Sequence, residues 1–361
     1  MPFSTFDVWD QALLTDVIRR PPLGRDPGAA EDTEPFLCEK IAPYKSLASR
    51  VAKVRVAELK PFGLGQFRAP DATPPLYKPA VAWYEQVIEL VLPDEMERIP
   101  EEDWLKLNSA DEGIRNSAGA SLVDRGRILR MRNNRRTEWM RWQMLLSGEM
   151  TIPYPSGSSL FVDYGYISGH KPIASTLWSD TTNSDPVSDI QAWSEKLADD
   201  SGFYARYVVM NSKTYNYLIL NAKIKNAINF YAGGASSIQR PRREDILNLF
   251  TTFSQNVELV IYDNGYRLEP ATGIGRTSLT KYVPDGKVLV TTYFVVDGVN
   301  VADTLDGQVT VSSGYNSVDI RQGEQAEVML DHMSKTHFLR YASARVPRLL
   351  LPECVLSATV A

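Results

Sequence analysis

The feature that most constrains this chain is a proline-free run from Gly113 to Gly148. Its core, LVDRGRILRMRNNRRTEWMRWQMLLSG, is rich in helix formers, and Gly148 after Leu145 and Leu146 supplies a C-terminal cap. About 30 helical residues extend roughly 45 Å, which is long for a globular helix. The run carries Arg115, Arg125, Arg127, Arg130, Arg132, Arg135, Arg136 and Arg141 against only Asp124 and Glu138. The stretch before it, 85–112, is the reverse: its many acids include Glu85, Glu89, Asp94, Glu95, Glu97 and Asp103, and its only bases are Arg98 and Lys106. Three readings of this contrast stand open. One is salt bridging between subunits, for which arginine is suited. The second is an arginine face turned to nucleic-acid phosphates. The third is a solvated helix surface.

Residues 51–59 and 83–92 alternate in the two-residue period of strands, with Val54 and Val56 opposed to Lys53 and Arg55, and Ile88, Leu90 and Leu92 opposed to Glu85 and Glu89. Between them lies KPFGLGQFRAPDATPPLYKP, with prolines at 61, 70, 74, 75 and 79. So long an irregular connection does not belong inside a compact core, and a lone hairpin is marginal in water, so a neighbouring subunit is the natural platform. Residues 3–20 place Phe6, Trp9, Leu13 and Val17 at helical spacing, with no apolar partner nearby in sequence. PPLGRDPGAAEDTEP at 21–35 reads as linker, so the N-terminus resembles an arm.

After the long helix, LFVDYGYISGHKPIAS suggests a hairpin, and 185–293 alternates helix and strand. Asp185 and Pro186 open a helix that Gly202 ends, Ser212 caps a second, and RREDILNLFTTFSQ forms another with Ile246, Leu249 and Phe253 on one face. YARYVVM and VELVIY read as strands, and LTKYV turns at Pro284-Asp285-Gly286 into KVLVTTYFVV. The final THFLRYASARVPRLLLPECVLSATV is rich in strand signals, so the fold class is α+β.

Catalytic signatures are missing. The three histidines are His170, His332 and His337, and the last two are five apart, on different faces of a helix. No GxSxG, GxxxxGK[ST] or GxGxxG occurs; GLGQF at 63–67 and GIGRT at 273–277 fit none of these. Asp199-Asp200 sits at a helix end and reads as a solvated terminus. Cys38 and Cys354 are far apart with no CxxC, which points to two reduced thiols. The expectation is no enzyme, no catalytic residue, no cofactor and no metal. A formal net charge of −5 argues against a dedicated nucleic-acid gripper. No apolar run approaches the roughly 18 residues of a membrane span, and the first twenty residues lack a signal pattern.

The order of arm, long strand pair, long helix, small sheet, α/β region and returning strands resembles the lambda-type phage major capsid protein E family over nearly the whole chain. RRTEWMRWQMLLSGEMTI (135–152) resembles the family's long-helix end, with Arg136, Glu138, Leu146 and Gly148 in an R-x-E…L-x-G arrangement. LFVDYG (160–165), YVPDGKVLV (282–290) and VPRLLLPECVLSATV (346–360) resemble its following strand, its turn-and-strand segment and its closing strand.

The resemblance implies a Hong Kong 97-type capsid fold: an N-terminal arm at 1–50, an extended loop (the E-loop) at 51–110, a spine helix with a peripheral domain at 111–180, an axial domain at 181–330, and C-terminal strands at 331–361 returning to the peripheral domain. It implies a self-assembling head protein of a tailed double-stranded DNA phage, in pentamers and hexamers of an icosahedral shell assembled in the host cytoplasm. Implied partners are portal, scaffold, a decoration protein in some members, and packaged DNA held without sequence preference. Candidate subunit-interface residues on the loop are Phe62, Phe67, Arg68, Tyr77, Glu85 and Glu89. Candidate interface or DNA-facing residues on the helix are Arg125, Arg127, Arg130, Arg132, Arg135, Arg136, Glu138 and Arg141. An encapsulin-like nanocompartment shell keeps the fold and changes the cargo. An α/β enzyme in 185–293, or a nucleic-acid binder using 125–141, are readings from other classes.

Overall fold

A computed structural model describes residues 11–19, 36–56, 84–153, 157–231, 240–253, 257–268, 277–296, 298–312, 318–331 and 335–361. The chain runs α1 (Gln11–Arg19), α2 (Leu37–Ile41), β1 (Tyr44–Ser46), β2 (Val51–Val56), β3 (Tyr84–Glu89), β4 (Asp94–Ile99), α3 (Glu101–Leu107) and α4 (Glu112–Ser147). It continues through β5 (Glu149–Pro153), β6 (Ser159–Asp163), α5 (Pro186–Ser201), β7 (Tyr207–Met210), α6 (Ser212–Leu220), α7 (Ala222–Tyr231), α8 (Arg243–Phe253), β8 (Glu258–Ile261), β9 (Gly265–Tyr266) and β10 (Thr280–Lys281). Then follow β11 (Lys287–Thr291), β12 (Val295–Val296), β13 (Val299–Asn300), β14 (Ala302–Asp306), β15 (Gln308–Ser312), β16 (Val318–Gln322), β17 (Gln325–Asp331), β18 (Thr336–Ala342), β19 (Arg345–Leu349) and β20 (Val355–Thr359). Helix α4 is the long element the sequence predicts, at 36 residues. Gly148 follows it at φ +66, with its N–H on the Met144 carbonyl at 3.0 Å.

The chain divides into two compact units. The first comprises Met1–Lys53, Val87–Arg141 and Asp303–Arg348. Its centre is the antiparallel sheet β17–β18–β4, where Leu339 stands opposite both Val328 and Glu97. Helix α4 lays Leu122, Val123 and Leu129 into a core with Ile99, Ala326, Val328, Leu339 and Tyr341. Helix α1 completes that core with Leu14 and Ile18. The apolar partner of α1, absent from its sequence neighbourhood, lies in its own chain some 300 residues on. Thr15 seals the contact, its Oγ1 accepting from Ala326 N at 2.9 Å and donating to Ala326 O at 3.3 Å. A smaller sheet orders β1–β14–β19, with β1 parallel to β14 from Tyr44↔Thr304. Strands β2 and β3 pair as the alternation predicts; residues 57–83 between them lie outside the described residues.

The second unit comprises Val54–Gln86, Trp142–Ala302 and Leu349–Ala361. Its sheet has the order β20–β11–β7–β8, with β7 parallel to β8 and β11 antiparallel to both β7 and β20. Alternate residues Val208, Met210, Val288, Val290, Leu356 and Ala358 pack against Trp193, Leu197, Ile224, Ile246, Leu249 and Phe250 from the helices. Asp185 caps α5 through Ser188 N at 3.2 Å, and Gly202 ends it at φ +78.

Several expectations shift. The cap of α6 is Asn211, whose Oδ1 accepts Thr214 N at 2.8 Å, and Ser212 is the first helical residue. LFVD is the second strand of a hairpin whose first strand is β5, paired Ile152↔Leu160, rather than the opening strand. His337 lies in β18, not on a helix; His332 lies outside the described residues. The expected segment 331–361 divides, with β18 in the first unit and β20 in the sheet of the second. Residues 303–330, expected with the axial region, belong to the first unit, as do α1, α2 and β1 of the expected arm.

Candidate functional site on the arginine helix

Helix α4 turns Leu122, Val123 and Leu129 to the core of the first unit, and several of its arginines meet the preceding acidic stretch and Glu324. Arg125 Nη2 lies 2.6 Å from Asp103 Oδ2 and its Nε 3.8 Å from Glu97. Arg127 pairs with Asp124 at 2.9 Å. Arg132 pairs with Glu95 of β4, with Nη2 to Oε1 at 3.2 Å. Arg130 Nε donates to Glu324 Oε2 at 3.1 Å. Within one chain the acidic stretch therefore meets the helix at two of these positions, Arg125 and Arg132. Glu95 and Glu97 sit on β4 and Asp103 on α3, two elements the sequence pattern did not disclose, and such half-exposed pairs stabilise modestly.

Deeper in, Glu324 accepts from Arg345, Arg130 and the Tyr341 hydroxyl, the last at 2.5 Å, and Arg19 approaches it at 3.5 Å. Arg19 also donates to the Glu324 backbone carbonyl at 2.6 Å. Burial alone pushes the Glu324 carboxyl up; Arg345, Arg130 and Tyr341 overturn that and hold it at about 2. Burial and the neighbouring Glu324 push the Tyr341 hydroxyl well above its ordinary value. Arg345 is 1% exposed, and its other donors reach Asn134 Oδ1 at 2.9 Å and Asp306 Oδ1 at 3.4 Å.

Tyr44 brings a third layer. Arg141 and Arg345 face its ring at 4.4 and 4.5 Å from the centroid, an arginine on each contact. Arg141 Nε donates to Thr304 Oγ1 at 2.7 Å, and its Nη1 is 3.7 Å from the fully buried Glu138. Glu138 also accepts Cys38 N at 3.3 Å. Arg141 and Glu138 are thus interior residues of this chain, and neither offers a surface to a neighbour or to DNA. Of the helix candidates, Arg132, Arg135 and Arg136 are exposed, and the Arg136 guanidinium lies 5.3 Å over the Trp139 ring.

Of the loop candidates, Phe62, Phe67, Arg68 and Tyr77 lie outside the described residues, and Glu85 and Glu89 lie on β3. Elsewhere, His170 is buried, with Nδ1 at 2.8 Å from the Val355 carbonyl and Nε2 at 2.7 Å from Asp200. Asp200 is therefore a partner of His170 rather than a merely solvated terminus. His337 stacks on Trp104 with centroids 3.6 Å apart. Cys38 and Cys354 are buried free thiols. Among the described residues no cluster of three metal-ligating side chains occurs, and no helix is long and apolar enough to cross a membrane.

The arrangement is that of a rigidified scaffold. Among the described residues, His170 is held by the Val355 carbonyl and Asp200, His337 by the Trp104 ring, and the buried Glu138 and Glu324 face arginines. The comparisons agree in kind. The family model described as phage major capsid protein E matches residues 97–302. A phage-related protein from Bordetella bronchiseptica RB50 is similar in structure at 16% identity and a TM-score of 0.54, covering 99% of this chain and 98% of that one. A structure described as a prophage capsid protein of Escherichia coli CFT073 is similar at 13% identity and a TM-score of 0.51, covering 91% and 93%. At these identities the two structures speak for the fold alone.

Proposed function

We propose, since the chain belongs to the phage major capsid protein E family, that it builds the head of a tailed double-stranded DNA phage as a Hong Kong 97-type subunit in hexamers and pentamers. The observation that carries this is the family match over 97–302, which spans α3 and α4 and runs on to the start of β14. The chain is a phage major capsid protein, and its family is structural. In this reading α4 is the spine, and the β2–β3 ribbon with 57–83 is the E-loop that clasps a neighbour, with Phe62, Phe67, Arg68, Tyr77, Glu85 and Glu89 as its contact residues. An aromatic anchor in a neighbour's pocket is the usual source of such affinity.

The domain assignment follows the same reading, with the peripheral domain drawn from the first unit and the axial domain from the second. Arg135 and Arg136, on the exposed flank, are the helix positions we assign to a neighbour or to DNA phosphates. Portal, scaffold, a decoration protein and the packaged genome are the partners this role calls for, and the host cytoplasm is its place of assembly. Size-exclusion chromatography with negative-stain microscopy of the purified full chain tests the proposal. Closed isometric particles or capsomers support it; a monomer that stays monomeric as concentration rises refutes it.

A further inference from the structure

The hairpin β15–β16 belongs to no site described so far. Strand β16 pairs with β15 from Gln308↔Gln322 to Ser312↔Val318 and has no second strand beside it among the described residues. Val318 and Ile320 share one face and are 66% and 64% exposed. Asp319 and Arg321 share the other face, opposite Val311 and Val309. Neither charged side chain has an ion pair or hydrogen bond among the described residues. An edge strand with a bare apolar pair is one that proteins ordinarily blunt unless it is to be paired.

The ladder fixes which backbone groups are open. Gly323 N donates to Gly307 O at 2.9 Å, one step beyond the paired residues. Antiparallel ladders alternate, so Arg321 and Asp319 turn their main-chain groups toward β15, while Val318, Ile320 and Gln322 turn theirs to the open side. The Gln322 carbonyl already accepts Gln325 Nε2 at 3.0 Å and has a second lone pair to share.

We infer that β16 pairs antiparallel with β16 of a second copy across a two-fold axis centred on Ile320. This deepens the shell reading and rests on it for the identity of the partner. In that register Ile320 meets Ile320, and Val318 meets Gln322; each has outward main-chain groups. Asp319 then stands opposite Arg321, twice, at the pairs that are not hydrogen-bonded, where facing side chains come closest. The apolar pairs of the two copies join into one strip on the other face. The alternatives are worse: centring on Asp319 sets acid against acid, centring on Arg321 sets base against base, and parallel in-register pairing stacks both. The sequence Val318-Asp319-Ile320-Arg321-Gln322 is self-complementary only about its middle residue, as an isologous contact requires.

The test is single-cysteine cross-linking of the full chain under oxidising conditions, read on a non-reducing gel. Wild type, whose two thiols are buried, is the baseline. Ile320→Cys is expected to double the apparent mass from 40.5 kDa, because a hydrogen-bonded pair sets the two Cα atoms about 5.5 Å apart, within disulfide reach. Val318→Cys alone is expected to stay single, since its twin lies four residues away along the strand; Val318→Cys with Gln322→Cys cross-links. Asp319→Arg is expected to abolish the Ile320→Cys dimer, and adding Arg321→Asp to restore it. Equal cross-linking of Val318→Cys and Ile320→Cys, or none from either in assembled particles, overturns the inference and leaves the shell reading standing. Failure of the wild-type chain to assemble at all overturns the shell reading instead.

Discussion

Arg345 and Glu324, 1% and 7% exposed, form a direct ion pair within the first unit. Breaking one side of a buried pair leaves the other charge stranded, at a cost of about 3–5 kcal/mol. Glu324→Gln is therefore expected to lower the unfolding free energy of the full chain, read by denaturant titration, by that much, with Arg130, Arg345 and Arg19 all losing a common negative partner. Arg136→Gln, at an exposed position, is expected to change it by less than about 0.5 kcal/mol. Equal effects from the two would contradict the hub.

The same carboxylate sets an acid limit. Glu324 is held at about 2, below its ordinary 4.5, so its contribution is complete above about pH 4.5 and is lost as pH falls toward 2. The shift corresponds to stability on the order of 3 kcal/mol. Unfolding of wild type and Glu324→Gln across pH 7 to 2 is expected to show a gap that closes with acid. A gap that stays constant would place the stabilisation elsewhere.

Two glycines on α4 give opposed expectations. A Cβ at Gly126 would lie 2.3 Å from Ile18 Cδ1, whereas one at Gly119 meets nothing within 4 Å. Gly126→Ala must displace the Ile18 side chain of α1 from its packing, costing about 1–3 kcal/mol. Gly119→Ala gains helix propensity of up to about 1 kcal/mol. Limited proteolysis near residue 19 reports the first, and thermal unfolding reports both.

Deleting 61–79, the Pro/Gly-rich middle of the segment joining β2 and β3, is expected to leave a folded, soluble subunit that does not assemble. Particles of normal size from that variant would mean the loop is no clasp between subunits.

Local signals carried much of the fold. The proline-free run with Gly148 gave α4, Asp185-Pro186 with Gly202 gave α5, and alternation around Val54 and Ile88 gave the β2–β3 pair. The acidic stretch concealed β4 and α3, because Asp94–Ile99 alternates charge with only Met96 and Ile99 as apolar cues. The site was half legible. The complementary charges were visible, but their pairing was not, since Arg130 and Glu324 are 194 residues apart and nothing in spacing distinguishes an intrachain partner from a neighbour's. The burial of Arg141 and Glu138 was equally hidden, because two charges in a polar helix look exposed until Tyr44, Cys38 and Thr304 are folded over them. The seat of α1 depends on Thr15 meeting Ala326, 311 residues away.

The central claim is that this chain is completed by copies of itself, and electron cryo-microscopy of the purified full chain addresses it most directly. The account predicts closed icosahedral shells in which residues 57–83 of each subunit lie across a neighbour. Monodisperse single chains at every concentration, with 57–83 packed on their own subunit, would contradict it.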